Sequence, residues 1–145
     1  MERQILYPML VLAALTFFVL VLVGRARFKA GFARRVKASD FRYGESANVP
    51  PDVSLPNRSL MNLLELPLLF YVVCIAFYAT HGVDGVAVGL AWLYVALRAV
   101  HCAVHLTYNN VYHRLGVFGL SNVVLVVLWA RFALALGALG HVQQP

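Results

Sequence analysis

The chain has 145 residues, of which 61% are hydrophobic and only 12% charged, with a mean hydropathy of +0.75. A soluble domain is about 45–50% apolar and about 25% charged, so the composition excludes an ordinary water-soluble globule. The net charge of +6 does not point to a nucleic-acid partner, because most of it lies in one loop between apolar runs, where basic residues act as topology signals.

A bilayer core takes about 20 apolar residues as a helix. The first run of that kind is Ile5 to Val23, which carries no charge. It exceeds the roughly 7–15 apolar residues of a secretory signal. It is followed at once by "RARFKAGFARRVK", which disfavours export, so it reads as a retained span. The one long loop comes next, residues 24–58. Its latter half, "YGESANVPPDVSLPNRS", is turn-rich. Irregular backbone folded against the cytoplasmic face is expected there, with a helix starting at Asn57 or Ser59 after Pro56. The second run is Ser59 to Thr80 and contains Glu65. Pro67 within it removes a backbone hydrogen bond and is expected to kink the span. The third run, Val86 to Thr107, contains Arg98, His101 and His105. The fourth, Leu115 to Leu139, contains Arg131, for which structural pairing and a site toward the outer leaflet both stay open. The chain therefore reads as one all-α domain, residues 1–145, built as an up-down four-helix membrane bundle.

Lysine and arginine bias sets the orientation. The first loop holds Arg25, Arg27, Lys29, Arg34, Arg35, Lys37 and Arg42, and the third holds Arg114 with His113. The second loop, "HGVDG", and the tail, "GHVQQP", hold no Lys or Arg. Both basic loops are expected in the cytoplasm and both termini outside.

The charged residues inside the runs carry the functional question. An Asp, Arg or Lys at the centre of a span costs about +2.5 to +3.5 kcal/mol on insertion scales, so such groups face protein or a wet cavity. At helical spacing Arg58, Asn62 and Glu65 form one stripe, and Arg98, His101, His105 and Tyr108 form another. Tyr112 and Arg114 follow where the chain leaves the membrane. Both stripes lie toward the cytoplasmic side and are placed to line one cavity, with Glu65 positioned to offset Arg98 or a protonated His101. The competing reading is interhelical glue, at about 0.6 kcal/mol per hydrogen bond, including a structural Glu65–Arg98 ion pair. Two stripes gathered toward one membrane face favour a site. His101 and His105, four apart, lack the further carboxylate or histidine ligands of a transition-metal site, so no metal is expected. Cys74 and Cys102 lie in apolar runs without C-x-x-C spacing and read as buried thiols.

The segments "RSLMNLLELP" and "RAVHCAVHLTYNNVYHR" resemble the MAPEG family, membrane-associated proteins in eicosanoid and glutathione metabolism. The helix-two pattern R-x-x-x-N-x-x-E is matched by Arg58, Asn62 and Glu65. The helix-three pattern R-x-x-H is matched by Arg98 and His101, and the arginine entering helix four by Arg114. The similarity spans all four runs, with its specific part between residues 58 and 122, and looks most like the bacterial branch. The resemblance implies a homotrimer in the bacterial inner (cytoplasmic) membrane, with glutathione as co-substrate bound between subunits on the cytoplasmic side. It implies glutathione-binding roles for Arg58, Asn62, Glu65, Arg98, His101, His105 and Tyr108, and thiolate stabilisation by Arg114. The implied chemistry is thiolate attack on a lipophilic electrophile or lipid hydroperoxide, favoured by a nearby cation that lowers the thiol pKa. Three positions depart from glutathione-using members: His105 stands where some carry tyrosine, Met61 where some carry arginine, and Leu115 where a serine is found. The expected function is a membrane-bound glutathione-dependent transferase or peroxidase. The alternatives are a non-catalytic lipid-binding or scaffold protein on the same fold, or an accessory subunit of a larger membrane complex.

Overall fold

The computed structural model describes residues 2–142. Five helices build four candidate membrane spans, and no strand occurs among the described residues. The tail "GHVQQP", on which the expected outside location of the C-terminus rests, has its last three residues outside the described residues.

A 3₁₀ turn, Glu2–Ile5, leads into helix α1, Leu6–Phe32. Ile5, Leu12, Val19 and Val23 face the bundle interior, while Leu10, Phe17, Phe18 and Val21 are exposed. A helix apolar on all sides is suited to lipid rather than water. α1 continues past the expected end at Val23 to Phe32. The extension is rich in alanine, arginine and lysine, which are good helix formers. Charge alone ends no helix once the chain has left the hydrocarbon. It stops where Arg34 turns left-handed, with φ 55°.

Residues 33–50 form the linker, with a 3₁₀ turn at Ala38–Phe41. It is pinned to the helices rather than loose. Val36 and Phe41 pack on Ala30, Val49 and Val53. Arg35 donates two hydrogen bonds to Asp52 at 2.9 and 2.8 Å, and Arg27 pairs with Glu45 at 3.3 Å.

The expected irregular backbone from Pro51 to Asn57 is helical instead. Helix α2 spans Pro51–Leu64. Pro51 occupies the first helical position, where its missing N–H is no loss, and extended Pro50 leads into it. Pro56 lies inside the helix. The kink expected at Pro67 is a complete break: α2 ends at Leu64 and helix α3, Pro67–Ala79, begins anew. Pro67 has no N–H to offer the Leu63 carbonyl, so the ladder cannot continue.

Helix α4, Gly85–Leu106, starts at Asp84, whose Oδ1 accepts the Ala87 N–H at 2.7 Å. Helix α5, Val111–Val142, starts at Asn110, whose Oδ1 accepts the N–H groups of Tyr112 and His113 at 3.0 and 3.2 Å. These are N-caps of the usual kind. α1 packs on α2 and α4, and α5 packs on α4 and α3. The core includes a Phe70–Tyr94 stack, 4.6 Å between ring centres, and an edge-on Phe77–Phe132 pair at 5.1 Å. Cys74 and Cys102 are buried and free, as their apolar context suggests.

Candidate functional site

At the linker end of the bundle α2, α4 and α5 meet around a cleft of about 220 Å³. Asn62 comes from α2, His101 from α4 and Arg114 from the first turn of α5; Val111, Leu115 and Phe118 form the apolar wall. One residue from each sequence stripe, Asn62 and His101, therefore shares a space with Arg114. The α4–α5 turn sets the position of Arg114. Asn109 adopts φ 48°, a left-handed conformation that asparagine tolerates. Its Oδ1 accepts from Arg114 Nη1 at 2.6 Å. Arg114 Nε is shielded from solvent and has no partner.

Behind the cleft lies a more deeply buried layer. Arg98 is 0% exposed and donates through Nη2 to the Asn62 backbone carbonyl. Its Nε and Nη1 have no partner, and its guanidinium carbon lies 5.5 Å from the centre of the Phe118 ring. The His101 ring is 6.0 Å from His105 and 5.7 Å from Phe118. Buried His105 has neither ring nitrogen engaged. An unpaired buried polar group costs about 1–3 kcal/mol, so this concentration of idle donors at one place is expensive.

The other expected residues are not in the cleft. Arg58 and Glu65 are exposed, and Tyr108 turns outward to share a hydrogen bond with His113 Nδ1 at 3.0 Å. Glu65 closes α2: its N–H still donates to the Met61 carbonyl at 3.1 Å, and its ψ of −96° redirects the chain only from Leu66 onward, so it shares the exposed side of Arg58. Among the described residues the ion pairs join Arg27 to Glu45, Arg35 to Asp52, His81 to Glu2 and Arg131 to Asp84, so Glu65 and Arg98 do not form the pair that a purely structural role would need. No three His, Cys, Asp or Glu side chains gather among the described residues. Sequence reading missed Phe118, Asn109 and Asn110. Phe118 is four residues after Arg114 and so shares its helix face. The "NN" before α5 is a cap signal.

The opposite end of the bundle is different. Arg131 reaches Asp84, with Nε donating at 3.1 Å. The Ala87 N–H first, and Arg131 after it, hold the Asp84 carboxyl below its ordinary pKa. This resolves the open question over Arg131 in favour of structural pairing.

Four apolar spans around a cleft of amide, imidazole and guanidinium groups define a polytopic membrane protein with a polar site at one end. A model of the MAPEG family matches residues 5–134, and the chain belongs to that family of membrane proteins of glutathione and eicosanoid metabolism. Comparison with curated proteins and with solved structures gave no match.

Proposed function

We propose that the chain is a membrane-bound glutathione-dependent transferase or peroxidase that works as a homotrimer on lipophilic electrophiles or lipid hydroperoxides. The observation that carries this reading is the meeting of Asn62, His101 and Arg114 in one cleft, with Arg114 Nε unengaged. In this reading Arg114 faces the glutathione sulfur and favours its thiolate, since a nearby cation lowers a thiol pKa. Asn62 and His101 hydrogen-bond the peptide. Arg98 is a positioning residue, holding the Asn62 carbonyl and adding positive charge from behind. With an electrophilic carbon, the thiolate forms the C–S bond and the leaving group departs with the electron pair. With a hydroperoxide, the thiolate takes the terminal oxygen, an alcohol leaves, and a second glutathione reduces the sulfenic acid to disulfide and water.

Two observations support the trimer. The cleft of about 220 Å³ falls below the roughly 300–1,000 Å³ of small-molecule sites, so a neighbouring copy is needed to complete it. Arg58 and Glu65 are exposed on this chain, and a carboxylate in a span is costly against lipid. In the assembly they face the neighbour's cleft. The linker end lies in the cytoplasm, in a bacterial inner membrane. The scaffold alternative requires Glu65 and Arg98 to satisfy each other, and the structure contains no such pair among the described residues.

The test is thermal unfolding of the detergent-purified protein with and without millimolar reduced glutathione. A ligand at about 100 times its dissociation constant stabilises by about 2.7 kcal/mol. A shift is expected with glutathione and not with a control tripeptide. It should vanish in Arg114→Ala and in Glu65→Ala with the trimer intact. Retained binding in both variants would reject the assignment.

A further inference from the structure

A second groove, which shares no lining residue with the cleft, runs between the last turns of α1 and the linker and encloses about 500 Å³. Along α1 its lining passes from Leu20 and Val23 to Arg27 and Phe28, and the linker adds Lys37 and Phe41. The change from apolar to basic falls where α1 leaves the hydrocarbon, because the uncharged run ends at Val23. Leu20 to Arg27 is seven residues, about 10 Å of helix. That is the distance from the acyl region of a leaflet into its headgroups.

Two glycines keep the groove deep. Gly24 and Gly31 both line it, and a Cβ added at either meets nothing within 4 Å. Neither is therefore required by packing inside this chain. Glycine is a poor helix former, and no other described part of the chain fills the space beside either position. The chemistry of the cations says what fits there. Between residues 25 and 42 stand seven Lys or Arg residues. Arg27 and Arg35 spend charge on Glu45 and Asp52. Lys37 is exposed, is in no ion pair among the described residues, and sits directly on the groove. Arg27 also lines the groove, its guanidinium paired with Glu45 and 4.7 Å from the centre of the Phe41 ring. An apolar trough capped by cations is complementary to a molecule with a hydrocarbon chain and a negative head.

We infer that this groove binds an anionic phospholipid, with an acyl chain on Leu20 and Val23 and its phosphate at Lys37. The site is independent of the glutathione cleft. It ties the linker to the membrane surface through a lipid of defined charge, rather than through basic residues acting diffusely.

The experiment compares phosphatidylglycerol with phosphatidylcholine added to the detergent-purified protein, reading the unfolding temperature and the lipids retained in native mass spectrometry. Inorganic phosphate at equal concentration is the third arm. The variants are Lys37→Glu, an exposed change, and Gly31→Leu, which adds a side chain at a groove position where a Cβ meets nothing within 4 Å. The expected result is stabilisation by phosphatidylglycerol alone, with roughly tenfold weaker retention in Lys37→Glu, given the contribution of each cation near an anionic surface. Gly31→Leu should also lose the preference while keeping its glutathione response. Equal stabilisation by both lipids overturns the inference, as does an unchanged preference in both variants. So does an equal shift with inorganic phosphate, which would make it a free-anion site. A changed oligomer mass in Gly31→Leu would mean that a second copy of the chain, not a lipid, fills the groove.

Discussion

The two ends of the bundle treat charge in opposite ways. At the Asp84 end one carboxylate meets a backbone N–H and Arg131, and the groups that converge there are used. At the linker end Arg98, His105 and Arg114 all retain shielded nitrogens with no partner. Both ends are polar features of apolar spans, and residue type alone does not separate them. Satisfaction does. A closed network reports a structural contact, whereas shielded nitrogens without partners among the described residues, gathered beside and behind an open cleft, mark the end where the proposed site lies. The cost of such groups is of the order of 1–3 kcal/mol each.

The largest effect that would break this comparison is on turnover. Arg114→Ala should lower glutathione-dependent activity by about a hundredfold, the scale of losing one preorganised charge stabiliser, measured with an activated chloroarene. Circular dichroism should show the helices intact. The next is Arg98→Met. Replacing a poorly satisfied buried charge by an apolar side chain of similar length is often neutral or stabilising. The variant should therefore unfold within about 1.5 kcal/mol of the parent, yet lose most of the roughly 2.7 kcal/mol of glutathione stabilisation. A variant that is badly destabilised while still binding glutathione would make Arg98 a structural residue like Arg131.

Much of this was legible in the sequence, for reasons that differ by residue. The four spans follow from run length and hydropathy, which lipid enforces strongly. Asn62, His101 and Arg114 meet in one cleft because α4 is one uninterrupted helix and the turn to α5 is short. Glu65 keeps the helical spacing but is exposed together with Arg58, because spacing shows which residues share a face and not which way that face turns. The start of α2 was missed because Pro50, Pro51 and Pro56 were read as turn signals, whereas Pro51 begins the helix and Pro56 is accommodated within it. The role of Arg131 stays open in the sequence because its partner, Asp84, lies 47 residues away, a contact no local pattern encodes. Asp84 itself carried a signal: an aspartate just before an apolar run is an N-cap.

Smaller effects sharpen the other side of the comparison. Asp84→Ala removes both a cap and an ion pair, worth about 0.5–2 kcal/mol and about 0.2–1 kcal/mol. The unfolding temperature should fall, and the response to glutathione should not change. A weakened glutathione response would couple the two ends and end the distinction between them.

The smallest effect is in acid, and it isolates the pair from the cap. The Asp84 carboxyl is held below its ordinary value of 3.8 by the Ala87 N–H and Arg131. The folded state therefore takes up this proton less readily than the unfolded chain. The contribution is complete above about pH 4 and is lost as the pH falls through the folded pKa. Asp84→Asn retains a good cap residue but has no charge for Arg131. It should be less stable than the parent at pH 6 by about 0.2–1 kcal/mol, the range for an exposed pair. The gap should close as the pH is lowered below about 4, because the parent then loses the same charge. A gap that persists unchanged at pH 3 would show that the Arg131 contact matters through packing rather than charge.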